Sequence, residues 1–390
     1  MTCLCSFFKK KSAPPVRRTT EIDQEVSGIQ NTRLFTYNEL REATGNFRPS
    51  SKIGEGGFGV VYQGTLRDGT MVAVKVLSAD STQGVREFLT EIEVMADIEH
   101  ENLVKLYGCC VEKKHRILVY GYVENNSIAQ TLLGGGNNSI QFSWDTRSKI
   151  CIGVAKGLAF LHEEVRPHIV HRDIKPSNVL LDKNLMPKIS DFGLAKLFPD
   201  NLTHISTCVA GTVGYLAPEY AIRAKLTRKA DIYSFGVLLL EIMSGRSHKD
   251  RRLPVAEQYL LERAWDLYEK GEPVELVDSS LNGDYNIEEA LRYLKIGLIC
   301  TQDMPKLRPP MSTVLKMLLG DIEVNDQEIT RPGFLSELMC LKADKGKKEN
   351  VKNWSCTASA STSKLESLSS SPENTDTSYG TMTFTSMYDR

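Results

Sequence analysis

Four short clusters in this chain have the residue types and spacing to handle a phosphate ester. The first is Ile53-Gly54-Glu55-Gly56-Gly57-Phe58-Gly59-Val60-Val61, a G-x-G-x-x-G pattern. Glycines let backbone N–H groups close over an anion where a Cβ would collide. The second is Lys75, in Val72-Ala73-Val74-Lys75, an ammonium among apolar neighbours. Such a group is costly to bury unless something negative meets it, and bound phosphate and Glu91 are the two available partners. The third is His171-Arg172-Asp173-Ile174-Lys175-Pro176-Ser177-Asn178, polar groups between the apolar flanks Ile169-Val170 and Val179-Leu180-Leu181. A short polar loop on packed supports is where a general base and metal ligands are held in place. The fourth is Asp191-Phe192-Gly193, a carboxylate beside a glycine hinge. Asn178 and Asp191 could share a hard, oxygen-seeking cation such as Mg2+, which takes few protein ligands and keeps phosphate oxygens and water.

The elements that must carry these clusters are legible as patterns. A dinucleotide site would need a helix directly after the glycines. The glycines instead run into VVYQG, the turn RDGT and MVAVKVL, so a hairpin closing over phosphates fits better. GVREFLTEIEVMADI predicts a helix with Val85, Phe88, Leu89, Ile92 and Met95 in one apolar stripe. VKLYGCCVE and RILVYGYVE predict two further strands, and helical patterns dominate from there to about residue 320, with a loop at 134–139. Upstream, FTYNELREATGNF predicts a short amphipathic helix with Leu40, Ala43 and Phe47 on one face. Pro176 forbids an uninterrupted helix through the third cluster. A β-rich first third and a helical remainder predict two lobes of different class.

Glycine hairpin, strand lysine, helix glutamate, H-R-D-x-K-x-x-N and D-F-G, in that order, strongly resemble the protein-kinase family. Ala217-Pro218-Glu219, Asp231 and Arg308 match further landmarks, Arg308 being the expected partner of Glu219. The resemblance covers roughly residues 47–322. It implies an α+β, bilobal fold, with a β-rich N-lobe carrying one main helix (about 53–120) and a mainly helical C-lobe (about 121–322). It also implies transfer of the ATP γ-phosphate to protein hydroxyls with Mg2+, or Mn2+ in its place. By the same match Lys75 holds the α/β-phosphates and pairs with Glu91. The backbone of Gly57, Phe58 and Gly59 covers the phosphates, and Ile53, Gly54, Glu55 and Gly56 complete that nucleotide-binding stretch. Asp173 takes the substrate hydroxyl's proton, Lys175 lies near the transferred phosphoryl, and Asn178 and Asp191 hold the metal. Val61, Ala73 and Leu180 sandwich the adenine, Gly121 and Val123 give hinge hydrogen bonds, and Tyr120 is the gatekeeper. Phosphoryl transfer relies on positioning and charge neutralisation, so nearly all of its rate should depend on this polar set.

Lys175 two residues after Asp173 is similar to Ser/Thr kinases, and Thr212 in Gly211-Thr212-Val213-Gly214-Tyr215 agrees. Arg172 beside Asp173 implies control by activation-loop phosphorylation, because an arginine cluster needs a counter-charge. Thr203, Ser206, Thr207 and Thr212 are the candidate phosphosites, with Thr207 expected to meet Arg172. FTYNELREATGNF, NLVKLYGCC, ILVYGYVENNS and GTVGYLAPEYA are similar to plant receptor-like kinases of the interleukin-receptor-associated-kinase type. With no ectodomain or membrane span, the nearest group is the receptor-like cytoplasmic kinases similar to cold-responsive protein kinases. That resemblance implies protein substrates and an upstream membrane receptor kinase. A pseudokinase scaffold, the alternative, would require loss of Lys75, Asp173 or Asp191, and none is lost. A small-molecule kinase should lack the A-P-E and G-T-V-G-Y segments. His162-Glu163 and His168 do not make H-E-x-x-H, because the histidines stand six apart with Pro167 between them.

Composition sets the context. A net charge of -1, with 41% hydrophobic and 25% charged residues, gives no global imbalance pointing to nucleic acid. The nine cysteines are odd in number and sit mostly in apolar runs such as Ile150-Cys151-Ile152, which predicts buried free thiols in a reducing compartment. No apolar run approaches the roughly 20 residues that span a bilayer. Lys9, Lys10 and Lys11 come after the short apolar stretch of MTCLCSFFKKK and do not precede it, so this is no secretory signal. Cys3 and Cys5 lack a second ligand pair for zinc, and Thr2 stands where a myristoylated chain carries glycine. They are therefore candidates for S-acylation, assisted by Lys9, Lys10, Lys11, Arg17 and Arg18, each worth up to about 1 kcal/mol at an anionic leaflet. The expected location is cytoplasmic, peripheral to the plasma membrane. The expected organisation is a basic, disordered segment (1–33), a juxta-kinase helix and linker (34–52), the kinase domain (53–322) and an extension (323–390), Ser/Thr-rich and disordered from about 350.

Overall fold

The computed structural model describes residues 32–56, 59–77, 82–134, 140–334 and 383–384. They fall into two compact units, one running to Glu124 and including Ser190–Lys196, the other comprising Asn125–Ile189 and the chain from Leu197 onward. The first is built on a sheet and the second mainly on helices, the α+β division expected from the sequence.

Among the described residues the first unit has one six-stranded sheet. Its strands are β1 (Arg33–Leu34), β2 (Lys52–Gly56), β3 (Gly59–Thr65), β4 (Met71–Leu77), β5 (Leu106–Glu112) and β6 (His115–Gly121). Their order is β1-β5-β6-β4-β3-β2. The β3–β4 turn closes where Asp68 Oδ1 accepts the Thr70 amide at 2.9 Å, the Asx geometry expected of R-D-G-T. Strand alternation divides the residues between two faces. Val72, Val74, Ile117 and Val119 pack with Phe35 and Leu40. The opposite face takes Ala73 and Lys75, whose cross-strand partners are Tyr120 and Leu118.

The segment upstream of the glycine hairpin is part of this unit. β1 pairs in parallel with β5, and helix α1 (Tyr37–Ala43) starts at a capping box between Thr36 and Glu39, which satisfies two otherwise open donors. The Tyr37 amide donates to Glu112 Oε1 at 3.0 Å, and its ring stacks on His115 at 4.1 Å. Phe47, expected on the helix, lies beyond it. Gly45, Asn46 and Phe47 all take positive φ, which ends the helix and lets Phe47 meet Tyr62 edge-on at 5.4 Å.

Helix α2 (Thr82–Met95) carries the predicted apolar residues, but its buried face differs from the expected stripe. Phe88, Ile92 and Met95 are buried together with Val94, Glu87 and Glu91, while Val85 and Leu89 are only half-buried. Of the two carboxylates on the inner face only Glu91 meets Lys75, while Glu87 accepts from Gln83, and hydrophobic periodicity cannot register either.

The second unit centres on α4 (Lys229–Ser244), in which every residue from Ala230 to Ser244 is buried. Helices α3 (Trp144–Ala159), α5 (Ile287–Cys300) and α6 (Met311–Leu319) accompany it. A helix buried all round marks the middle of a core. Two small antiparallel pairs lie in this unit: β7 (Val179–Leu181) with β8 (Pro187–Ile189), and β9 (Ile205–Ser206) with β10 (Lys225–Leu226). The pair expected from A-P-E and Arg308 is present, Arg308 Nη1 and Nη2 donating to the two Glu219 oxygens at 2.8 and 2.9 Å.

Among the described cysteines Cys109, Cys110, Cys151 and Cys300 are buried free thiols, and Cys208 is free but exposed. Burial pushes the Cys109, Cys110 and Cys300 thiols up to about 12, so they are inert as nucleophiles. No described helix is long and apolar enough to cross a membrane. Of the Ser/Thr-rich tail only Thr383–Phe384 is described, its backbone paired in parallel with Ala210–Gly211.

Candidate active site

In the first unit the candidate residues converge on one face of the sheet. Val61 lies directly opposite Lys75, and Ala73 directly opposite Tyr120, so all four share the face turned to α2. Lys75 Nζ donates to Glu91 Oε1 at 2.6 Å and to Asp191 Oδ1 at 2.9 Å. Burial works against the ammonium, but the two carboxylates outweigh it and raise its pKa. Burial raises the Glu91 carboxyl to about 7, with Lys75 pulling the other way, and Glu91 Oε2 is buried with no partner. Asp191 sits at φ 66°, ψ 70°, a left-handed conformation that costs a non-glycine residue about 1–3 kcal/mol and is concentrated at functional sites. The Tyr120 hydroxyl is buried with no partner on this same face. The Gly121 amide donates to the Lys105 carbonyl at 2.9 Å, so a hinge bond from Gly121 cannot use its N–H.

The glycines of the hairpin differ in what they do. Gly59 has φ +152°, and a Cβ there would lie 2.1 Å from the Val76 carbonyl oxygen, so the pairing of β3 with β4 requires glycine. A Cβ at Gly56 would meet nothing within 4 Å, whereas one at Gly54 would make ordinary contact with Val61. A side chain at Gly56 would thus meet open space. Ile53 is exposed, Glu55 forms an ion pair with Lys52, and Gly57 and Phe58 lie outside the described residues.

In the second unit Asp173, 4% exposed, is held by three neighbours. Its Oδ2 accepts from Asn178 Nδ2 at 3.0 Å and from Lys175 Nζ at 2.8 Å. Its Oδ1 accepts from the Thr212 hydroxyl at 2.6 Å, which itself accepts from Lys175 Nζ at 2.8 Å. The loop carrying Asp173 is pinned from below by Asp231, which accepts from the His171 and Arg172 amides at 2.7 and 2.8 Å and from His162 Nε2 at 2.9 Å. Burial alone would raise the Asp231 pKa, but these bonds hold it down. Leu180 lies half-buried on β7.

The two candidate metal ligands, Asn178 and Asp191, belong to different units, and each is described within its own. Asn178, in the second unit, directs its amide nitrogen to the Asp173 carbonyl and carboxylate at 2.9 and 3.0 Å, and its amide oxygen accepts from the Ser177 hydroxyl at 3.5 Å. Asp191 offers a partly exposed carboxylate. Each residue carries an oxygen of the type that a hard divalent cation takes.

Of the candidate phosphosites, Thr203 and Ser206 are exposed and Thr207 is half-buried, its amide donating to the Ala224 carbonyl at 3.2 Å. Thr212 stands inside the Asp173 group. Cys3 and Cys5 lie outside the described residues. Sequence reasoning missed Glu87, a buried carboxyl that burial raises to about 7, the Asp231 contact of His162, and Tyr220, whose hydroxyl meets Arg172. No local pattern marks these residues, because each acts through a tertiary contact.

The comparisons agree with this geometry. A protein kinase domain model matches residues 47–317. The chain is 63% identical over 352 residues to Cold-responsive protein kinase 1 of Arabidopsis thaliana, covering 88% of this chain and 90% of that protein. It is 54% identical over 321 residues to a probable LRR receptor-like serine/threonine-protein kinase of the same plant, covering 82% of this chain but 31% of that protein. A second such relative is 55% identical over 314 residues, 80% of this chain and 30% of its own length. The chain thus spans about a third of these receptor-like relatives. A lysine braced by two carboxylates, a buried aspartate held by lysine, asparagine and threonine, and a domain match over most of the length lead to one conclusion: the chain belongs to the protein kinase family.

Proposed function

We propose that the chain transfers the γ-phosphate of ATP to serine and threonine hydroxyls of other proteins, with Asp173 as the base. The observation that carries this reading is the arrangement around Asp173. One oxygen is fixed by Asn178 and Lys175, and the other by Thr212. A carboxylate so held can take the proton of a substrate hydroxyl as the new O–P bond forms and the bond to the ADP oxygen breaks. Lys175, which bonds both Asp173 and Thr212, supplies positive charge beside the transferred group. Lys75, kept charged by its two carboxylates, receives the α/β-phosphates. A divalent cation, Mg2+ in our reading, would neutralise phosphate charge from the oxygens of Asp191 and Asn178. Serine/threonine specificity is supported by the Lys175–Thr212 bond and by the names of the receptor-like relatives. Retention of Lys75, Glu91, Asp173, Asn178 and Asp191 speaks against a pseudokinase scaffold.

In this reading the kinase relays signals from plant membrane receptors, and phosphorylation at Thr203, Ser206 or Thr207 modulates it. The Thr212 hydroxyl is already engaged by Asp173 and Lys175, and a phosphate there would face the Asp173 carboxylate. We therefore assign Thr212 to substrate positioning and not to regulation. S-acylation of Cys3 and Cys5 would hold the chain at the plasma membrane. The deciding experiment incubates the purified chain and Asp173→Asn with Mg-ATP and a generic protein substrate. Incorporation should fall by about 10²- to 10⁴-fold in the variant, and equal incorporation would remove Asp173 from the role of base.

A further inference from the structure

The Thr212 hydroxyl, bonded to Asp173 Oδ1 at 2.6 Å, begins a tight turn. The Tyr215 amide donates to the Thr212 carbonyl at 3.1 Å, closing the chain over Val213 and Gly214. Gly214 has φ +102°, which the third residue of such a turn tolerates only as glycine. A second demand for glycine comes from outside the turn. A Cβ at Gly214 would fall 2.3 Å from Cδ2 and 2.4 Å from Nε2 of His248, and the three atoms nearest to it all belong to that ring. The imidazole also packs on the Tyr215 ring, with centroids 4.7 Å apart. His248 is itself held from behind. Its amide donates to Glu241 Oε1 at 2.6 Å, and its carbonyl accepts the Leu260 amide at 3.0 Å. Glu241, on α4, is 0% exposed. The Tyr215 hydroxyl donates to the same Oε1 at 2.7 Å, while Oε2 is buried with no partner. With its one proton directed at Glu241, that hydroxyl accepts from His248 Nδ1, 3.1 Å away. The ring therefore carries a proton on Nδ1.

We propose that His248 is a positioning residue for the protein substrate. Its imidazole, bonded to Tyr215 and packed on Gly214, fixes the turn 212–215 against which the segment carrying the acceptor hydroxyl lies. The inner end of the turn has its own anchor, Ser234 Oγ donating to the Tyr215 carbonyl at 2.7 Å. The tip does not: Val213 is 44% exposed, and Gly214 has the widest backbone freedom of any residue type. The His248 ring is what bears on that tip. Without it Thr212 keeps its bonds to Asp173 and Lys175, so the chemical step is largely retained, but the surface offered to a protein substrate loosens. This inference rests on Asp173 being the base, because Thr212 ties the turn to it.

The test uses the full chain as wild type, His248→Ala and His248→Asn, with Mg-ATP and a generic protein substrate. Asparagine places an amide N–H close to where Nδ1 stands and keeps the donor to Tyr215. His248→Ala should raise the KM for the protein substrate about tenfold, the scale of one lost hydrogen bond. Its kcat should fall by less than about threefold, and its KM for ATP should change by less than about twofold. His248→Asn should return the protein KM to within about threefold of wild type. A merely structural role would lower kcat through a smaller active fraction and leave both KM values alone. A protein KM within about twofold of wild type in His248→Ala overturns the proposal, and so does an asparagine variant no better than alanine. Should His248→Ala not fold, His248→Leu takes its place, since it keeps bulk on Gly214 without a donor. A leucine variant whose protein KM does not exceed that of His248→Asn refutes the claim. Asp173→Asn reports separately. It should lower kcat by about 10²- to 10⁴-fold with the protein KM within about twofold. Failure of the base assignment therefore shows in the kcat of that variant, and failure of this proposal in the protein KM of the His248 variants.

Discussion

Arg308 offers a severe test of how the second unit is held together. Its side chain is 0% exposed, and its N–H groups meet five acceptors. Nε donates to the Gln302 carbonyl at 2.7 Å. Nη1 donates to Glu219 Oε1 and the Lys229 carbonyl at 2.8 and 3.0 Å. Nη2 donates to Glu219 Oε2 and the Asp303 carbonyl at 2.9 and 3.2 Å. Replacing Glu219 by alanine leaves a buried guanidinium facing only carbonyls, which costs about 3–5 kcal/mol. Arg308→Lys keeps the charge but offers three donors where five acceptors wait. Two bonds are lost, one of them to the carboxylate, for about 3 kcal/mol. Removing both charges, in Arg308→Met with Glu219→Leu, should cost less than the two single changes added together, with a coupling of about 2 kcal/mol or more. Urea unfolding monitored by tryptophan fluorescence is the assay, since Trp144 and Trp265 both lie in this unit. Arg308→Lys within about 0.5 kcal/mol of wild type, or single effects that simply add, would refute the reasoning.

The first unit supplies three more tests. Glu87 is 5% exposed and its carboxyl is raised to about 7 from 4.5. A raised folded pKa gives stability that is complete below about 4.5 and lost as pH rises through 7, so Glu87→Gln should gain on the order of 2 kcal/mol over wild type at pH 8 and little at pH 4.5. Equal gains at the two pH values in urea unfolding would exclude this titration. Gly59→Ala should destabilise by about 3 kcal/mol or more because its Cβ meets backbone, whereas Gly56→Ala should leave the melting temperature unchanged and weaken ATP binding; equal effects on melting would contradict the division of labour between the two glycines. Leu40→Ala, at a fully buried position, should cost about 2–4 kcal/mol, and an unchanged melting temperature would show that α1 does not contribute to the fold.

Much of the first unit is legible in the sequence because strands and turns are local. VVYQG, RDGT and MVAVKVL each carry their own signal, and the observed strands β3 and β4 contain the two apolar segments. The helix after them is legible as a helix, but not the face it buries. Glu87 and Glu91 look like surface residues to any hydrophobic count, and only Lys75 and Asp191 across from them explain Glu91. As a pattern the glycine hairpin reads as a phosphate cover throughout. In the fold Gly59 serves the neighbouring strand, while Gly56 has open space around it.

The sequence by itself determined the family, the order of the candidate catalytic residues and the α+β division. Those depend on residue types at fixed spacing along one strand, turn or loop. Only the tertiary structure decided which groups meet across the chain: Arg33–Leu34 beside β5, Glu219 with Arg308, His162 with Asp231, and Tyr220 with Arg172. Each such contact joins segments with no local relationship, and its energy comes from burial and pairing that exist only once both partners have left water.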